Sequence, residues 1–156
     1  MFSKLTREPG LDLSRMQDIG GCRVVVQDVQ ELRRLEARIR DIWSHRVKRT
    51  SDYVAHPRTS GYRALHIVVE WDGCLVEIQL RTTTMHAWAQ LVEQLSGMTQ
   101  TNHKQDGSSV LQQYLALVSR VDAHREGLGP APTDEDLDRL ATLGTEAVRI
   151  LRAAGR

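Results

Sequence analysis

Asp72-Gly73 is the feature that most limits what this chain can become. It is a strong signal for a two-residue hairpin turn. The segments on either side, 64–71 (ALHIVVEW) and 74–81 (CLVEIQLR), alternate at period two and read as strands. Such a turn sets the register, with Trp71 facing Cys74, Val68 facing Glu77 and His66 facing Gln79. Alternation then puts Leu65, Ile67, Val69, Val76, Ile78 and Leu80 on an apolar face. His66, Glu77, Gln79 and Arg81 project from the other. A solvated face would favour Thr, Lys and Ser. A carboxylate, an amide, a guanidinium and an imidazole converging on rigid strands point instead to a binding site.

The 156 residues are enough for one domain with a single core. Twenty-one basic against 20 acidic residues leave a net charge of +1, so no whole-surface attraction to nucleic acid or membrane is expected. Positive charge is instead local: Arg46, Lys48, Arg49, Arg58 and Arg63 precede His66 with Asp52 the one acid among them. Cys22 and Cys74 fall in apolar strand patterns and are expected to be small core residues rather than a disulfide or a metal site. No run is long enough to span a bilayer, and no signal-peptide core follows Met1-Phe2, so a cytoplasmic location without membrane contact is expected.

In chain order, residues 1–17 look like the end of a helix broken at Pro9-Gly10. Residues 22–27 read as a buried strand introduced by Asp18-Ile19-Gly20-Gly21. Residues 29–43 read as an amphipathic helix with Leu32, Leu35, Ile39 and Ile42 in its apolar stripe. An extended segment at 47–54 and the loop 56–61 lead to the hairpin. After Thr82 the period becomes helical, with Met85, Trp88, Ala89, Val92 and Leu95 on one face and Gly97 as a stop. A polar linker at 99–109 precedes a helix near 110–125 carrying Val110, Leu111, Tyr114, Leu117, Val118 and Val121. Thr133 or Asp134 can cap a last helix running to about Ala154, with Leu137, Leu140, Leu143, Val148 and Leu151 inward. Trp43, Trp71 and Trp88 fall on apolar faces and read as core. The order predicts an α+β domain.

The residues themselves suggest chemistry. Asp18 precedes one strand and Glu77 lies in another, and the two strands can lie side by side. Two carboxylates meeting near phosphate-binding cations are how a protein holds Mg²⁺ on a nucleotide. The basic stretch 46–63 can neutralise a polyphosphate, with Arg suited by its fork geometry. Tyr62 follows a glycine and can stack on a base; an ordinary packing role is the plainer reading of that residue alone. His45, His103 and His124 lack ligand-like spacing. Neither a P-loop nor a Rossmann glycine pattern is present, and Ser60 has no nucleophile elbow.

Four ordered motifs carry a family resemblance: Asp18-Ile19-Gly20-Gly21-Cys22-Arg23, Asp52-Tyr53-Val54, Gly61-Tyr62-Arg63-Ala64-Leu65-His66 and Val76-Glu77-Ile78-Gln79-Leu80-Arg81-Thr82. In this order they resemble the RelA/SpoT-type alarmone synthetase domain, and Met85-His86-Ala87-Trp88-Ala89 is similar to the helix that follows in that family. The tail with Ala123-His124-Arg125-Glu126-Gly127 is more similar to short single-domain members, including those near toxin–antitoxin pairs. The resemblance implies a nucleotidyltransferase-like synthetase domain over 1–98, a mixed sheet flanked by helices. Residues 99–156 would be a helical extension packed on it.

The implied activity is transfer of the β,γ-diphosphate of ATP to the 3′-hydroxyl of GDP or GTP, giving (p)ppGpp and AMP. Carried over by motif position, Asp18 and Glu77 would hold Mg²⁺ and do the catalysis, Glu77 drawing the proton from the hydroxyl. Tyr62 would stack on guanine, and His66, Gln79 and Arg81 would line the acceptor side. Lys4, Arg23 and His86 would help hold the nucleotides, with Arg58 and Arg63 in the basic stretch. Ser51 stands where the family often has Lys and Ser60 where it often has Asn. The family's Arg-x-Lys donor cluster would fall before Lys4, ahead of Met1, so the donor-site helix is expected to be shortened. Two other readings stay open: transfer to the 3′ end of tRNA, and an inactive fold that binds a guanine nucleotide or a partner protein. A homo-oligomer also stays open.

Overall fold

Asp72 and Gly73 take φ angles of 50° and 75°, the paired left-handed conformation of the hairpin turn that matches strand twist. The hairpin closes in the register predicted, with Trp71 opposite Cys74, Val68 opposite Glu77 and His66 opposite Gln79. The computed structural model describes residues 20–100, 103 and 109–154. Its elements are β1 (Gly20–Val26), α1 (Val29–Ile42), β2 (Val47–Asp52), β3 (Leu65–Trp71), β4 (Cys74–Thr82), α2 (Thr83–Thr99), α3 (Val110–Arg125) and α4 (Asp134–Ala154). The strands form one sheet in the order β1-β4-β3-β2. β1 runs parallel to β4 and the other neighbours are antiparallel, so the fold is α+β with a mixed sheet.

Local chemistry explains the helix starts. Asp28 caps α1 by accepting from the Glu31 N–H, while the Glu31 carboxylate accepts from the Gln27 N–H. Thr82 caps α2 through the Met85 N–H. Ser109 and Gln112 form a reciprocal capping box on α3, and the Thr133 hydroxyl caps α4 at Asp136. α2 runs two residues past Gly97 to Thr99 and ends on Gln100 in the left-handed region (φ 52°).

Two clusters make up the core. In the first, Leu32 of α1 packs on Val26, Leu65, Ile67, Val69 and Leu80 of the sheet, with Leu35 and Ile39 alongside. In the second, Tyr62 and Ala64 meet Trp88, Ala89, Val92 and Leu95 of α2 and Leu115 of α3. All five α2 positions predicted inward are buried.

Several apolar positions depart from expectation because they sit at ends or edges. β1 is an edge strand, not a buried one; only Val26 is buried, and Cys22 is exposed. Cys74, beside the hairpin turn, is exposed too; both are free thiols. Ile42 at the last turn of α1 is 65% exposed. On α4 the inward face is formed by Leu143 and Ala147, while Leu137 and Val148 are exposed. Trp71 is 54% exposed at the hairpin tip, edge-on to Trp43 with ring centroids 5.3 Å apart and with the Arg46 guanidinium 4.7 Å from its ring. On α3, Leu115 is buried although it is absent from the predicted stripe.

Candidate active site

The strand registers set side chains in rows across the sheet. Ser51, His66, Gln79 and Arg23 stand in one row; Arg49, Val68, Glu77 and Gly21 stand in the next. Directly opposed residues share a face, so the polar side of the β3–β4 hairpin continues onto β1 and β2.

Hydrogen bonds join the rows into a line. Arg23 Nε donates to Gln79 Oε1 at 2.7 Å. A guanidinium only donates, which turns the Gln79 amide nitrogen toward the Tyr62 hydroxyl (3.0 Å) and His66 Nε2 (3.1 Å). Arg81 donates to the same hydroxyl at 3.0 Å. With two N–H groups on its oxygen, the Tyr62 O–H has its own proton left for His66 Nε2, 2.8 Å away. By this network the ring proton of His66 lies on Nδ1, which donates to Glu77 Oε1 at 2.8 Å. His66 therefore aims the Glu77 carboxylate, and Tyr62 aims His66.

Arg81 is 2% exposed; it lies 5.3 Å from the Tyr62 ring centroid, and its Nε has no hydrogen-bond partner. Tyr62 is 8% exposed and edge-on to Tyr53 and His66. As placed it is the hub of the network, and stacking flat on a base would require its ring to move out. Tyr53 is the more open aromatic, and Arg58 lies 4.8 Å from its ring centroid and donates to its hydroxyl at 3.0 Å. That bond, outweighing burial, holds the Tyr53 hydroxyl below its ordinary range.

Asp52 is structural here. Burial alone would raise its carboxyl, but Arg33 of α1 and the N–H groups of Ala55 and Val54 outweigh burial and hold it below the ordinary aspartate value. Its Oδ2 lies 2.8 Å from Arg33 and its Oδ1 accepts both N–H groups at 3.0 Å, fixing the turn that leads into Tyr53 and Arg58.

Of the residues singled out in sequence, Arg23, Arg58, Tyr62, His66, Glu77, Gln79 and Arg81 converge. Arg63 does not join them. Alternation sends it to the opposite side, where it donates to the Val54 carbonyl and lines a narrow cleft with Asp122 of α3 and Glu126 at that helix's C-terminal cap. Burial pulls its guanidinium below the ordinary value, with Glu126 acting the other way. His86 is half-buried in the first turn of α2 and its Nδ1 has no hydrogen-bond partner; no bond ties it to the rows. Lys4 and Asp18 lie outside the described residues. Sequence reading placed Arg49 only in the general basic stretch and gave no site role to Ser51 or Tyr53; residues 48–52 are all polar, so no alternation marks which of them share the face of His66.

A Cβ on Gly21 would stand 3.2 Å from the Glu77 carbonyl oxygen and 3.8 Å from Glu77 Cβ. Glycine there lets the β1 backbone lie close against Glu77. The Glu77 carboxylate is part-exposed, and on the polar face that also carries Arg23 and Arg81 such a group suits a hard cation that takes its remaining ligands from water and phosphate. Among the described residues no group of three or more His, Cys, Asp or Glu assembles for a closed metal cage. Also among them, no helix is long and apolar enough to cross a membrane.

The chain resembles known proteins in sequence and in structure. Residues 1–98 match the family profile described as a region found in RelA / SpoT proteins. The GTP pyrophosphokinase YjbM of Bacillus subtilis is 30% identical over 119 residues, covering 71% of this chain and 56% of that protein. The chain spans 11% of the length of longer relatives in Arabidopsis thaliana and Haemophilus influenzae. A GTP pyrophosphokinase family protein from Streptococcus pneumoniae superposes with a TM-score of 0.62 at 28% identity, over 81% of this chain and 67% of the other. The small alarmone synthetase 1 of Bacillus subtilis, solved with its product pppGpp, superposes with a TM-score of 0.60 at 25% identity over the same shares. A profile match over residues 1–98, more than half of the chain, makes this chain a member of the RelA/SpoT family.

Proposed function

We propose that the chain is a GTP/GDP pyrophosphokinase that transfers the β,γ-diphosphate of ATP to the 3′-hydroxyl of GDP or GTP. The observation that carries this reading is the hydrogen-bonded line from Arg23 through Gln79, Tyr62 and His66 to Glu77 on one sheet face, in a RelA/SpoT chain. The acceptor 3′-oxygen bonds to the β-phosphorus of ATP, the bond from that phosphorus to the α,β-bridging oxygen breaks, and AMP leaves with that oxygen. The 3′-hydroxyl proton passes to Glu77, whose carboxylate His66 aims.

Transfer of this kind depends mostly on alignment and charge neutralisation. Arg23 stands on the exposed side of the line and is placed to meet phosphate oxygens. Tyr53, with Arg58 on its ring, forms the aromatic wall for the guanine, and Tyr62 joins it if its ring swings outward. Lys4 and His86 complete the nucleotide contacts that the family resemblance implies. Mg²⁺ would be held by Glu77 and Asp18, and when bound it supplies neutralisation of the phosphate charge. The product bound to the Bacillus subtilis synthetase, pppGpp, supports a guanosine acceptor.

The test is incubation of the purified chain with β,γ-labelled ATP, Mg²⁺ and GDP, GTP or tRNA in separate reactions. Label on the guanine nucleotide with release of AMP is expected. Label on the tRNA 3′ end would make RNA the acceptor, and no transfer would leave a binding fold without this chemistry.

A further inference from the structure

The family match ends at residue 98, yet α3, beyond it, touches the loop that leads into Tyr62. Ser119, 4% exposed, donates its hydroxyl to the Gly61 carbonyl at 2.5 Å across 58 residues of sequence. Gly61 has φ +89°, and a Cβ there would stand 2.8 Å from Ser119 Cβ and 3.0 Å from Ala116 Cα. The backbone of the loop thus lies directly on α3, a fit that only glycine allows at that torsion. One turn earlier the Leu115 carbonyl accepts from Trp88 Nε1 at 2.9 Å, so α3 is itself held to α2. The loop is closed internally as well, with Gly61 donating to the Arg58 carbonyl and Arg58 to the Tyr62 carbonyl.

We infer that α3 is a positioning strut for the acceptor loop, and that Ser119 is a positioning residue for guanine-nucleotide binding. The inference rests on the activity proposed above only in naming the ligand. Ser119 fixes the carbonyl of Gly61; the next residue, Tyr62, sets His66, and His66 aims Glu77. Arg58, in the same loop, sets the wall at Tyr53. Without the Ser119 hydroxyl the Gly61 carbonyl is buried and unpaired. The loop then spends more time out of its binding-competent place, and apparent acceptor affinity falls by that fraction.

Three full-length variants test this: Ser119→Ala, Ser119→Thr as the conservative rescue, and Leu111→Ala, which creates a cavity at the opposite end of α3. The readouts are hydrogen exchange of residues 56–62 and KM for GDP and for ATP. Ser119→Ala is expected to speed exchange in the loop and raise the GDP KM about tenfold, with the ATP KM within about twofold. Ser119→Thr is expected to restore both, and Leu111→Ala to lower Tm without moving either. Unchanged loop exchange in Ser119→Ala, or the same change in Leu111→Ala at an equal loss of Tm, would overturn the strut. Should the wild-type chain transfer no diphosphate, the activity proposal fails and the exchange comparison still decides the strut.

Discussion

Glu77 depends on its neighbours for where its carboxylate points. The side chain is part-exposed on β4, and the Nδ1–H of His66 holds one of its oxygens. If Glu77 takes the acceptor proton, Glu77→Gln removes the base while keeping the shape and the bond to His66. Diphosphate transfer should fall by about 10²–10⁴-fold with the circular-dichroism melt unchanged. Tyr62→Phe should act on stability, because Arg81, Gln79 and His66 all share that one hydroxyl. Loss of the oxygen leaves buried donors unpaired and should cost about 1–3 kcal/mol in urea unfolding; a cost below about 0.5 kcal/mol would show that the network is dispensable. The faces of His66, Glu77 and Gln79 were legible in sequence because a two-residue turn leaves no freedom of register. The depth of Tyr62 was not legible, because it is decided by Trp88 and Leu115, which reach it from two different helices.

At the scale of elements, β2 and the turn after it are held by a charge. Arg33 of α1 reaches Asp52 at the end of β2, and Asp52 in turn holds the N–H groups of Val54 and Ala55. Because its folded value lies below the ordinary 3.8, Asp52 contributes stability that is fully present above the unfolded value. That contribution is lost as pH falls through the folded value. Asp52→Asn should therefore lose about 1–2 kcal/mol at neutral pH. The gap to wild type in urea unfolding should narrow steadily below pH 3.8; a gap that stays constant into acid would exclude the ionised carboxylate as its source. The anchor was hidden in sequence because Arg33 and Asp52 sit 19 residues apart in different elements. The same blindness affects element ends: Ile42, Leu137 and Val148 fit helical stripes, but the stripes outrun the surfaces that cover them. By contrast, the α2 stripe was read correctly because that helix is covered along its length.

Across the whole molecule, the family match and the packing unit differ in extent. The match stops at residue 98, while the second core cluster closes only when Leu115 of α3 joins Tyr62, Trp88, Val92 and Leu95, with Leu151 of α4 against it. Exposing several such side chains, at about 1.5–3 kcal/mol each, removes as much as a typical domain's entire net stability of about 5–15 kcal/mol. A version ending at residue 100 should therefore lack a cooperative thermal transition; a sigmoidal melt from it would show that the last helices are dispensable. The mixed sheet was implied by the family resemblance, and the sequence allowed the pairing of β1 with β4 without fixing it. The dependence on α3 was not, because Gly61 and Ser119 are 58 residues apart and neither belongs to a periodic pattern. If the polar sheet face ending at Glu77 moves a diphosphate to a guanosine 3′-hydroxyl, phosphorus NMR of the products from ATP, Mg²⁺ and GDP will show it. Wild type is expected to give AMP and a new 3′-diphosphate signal in equal amounts, and Glu77→Gln neither. Equal product from both proteins, or none from wild type, would contradict that role.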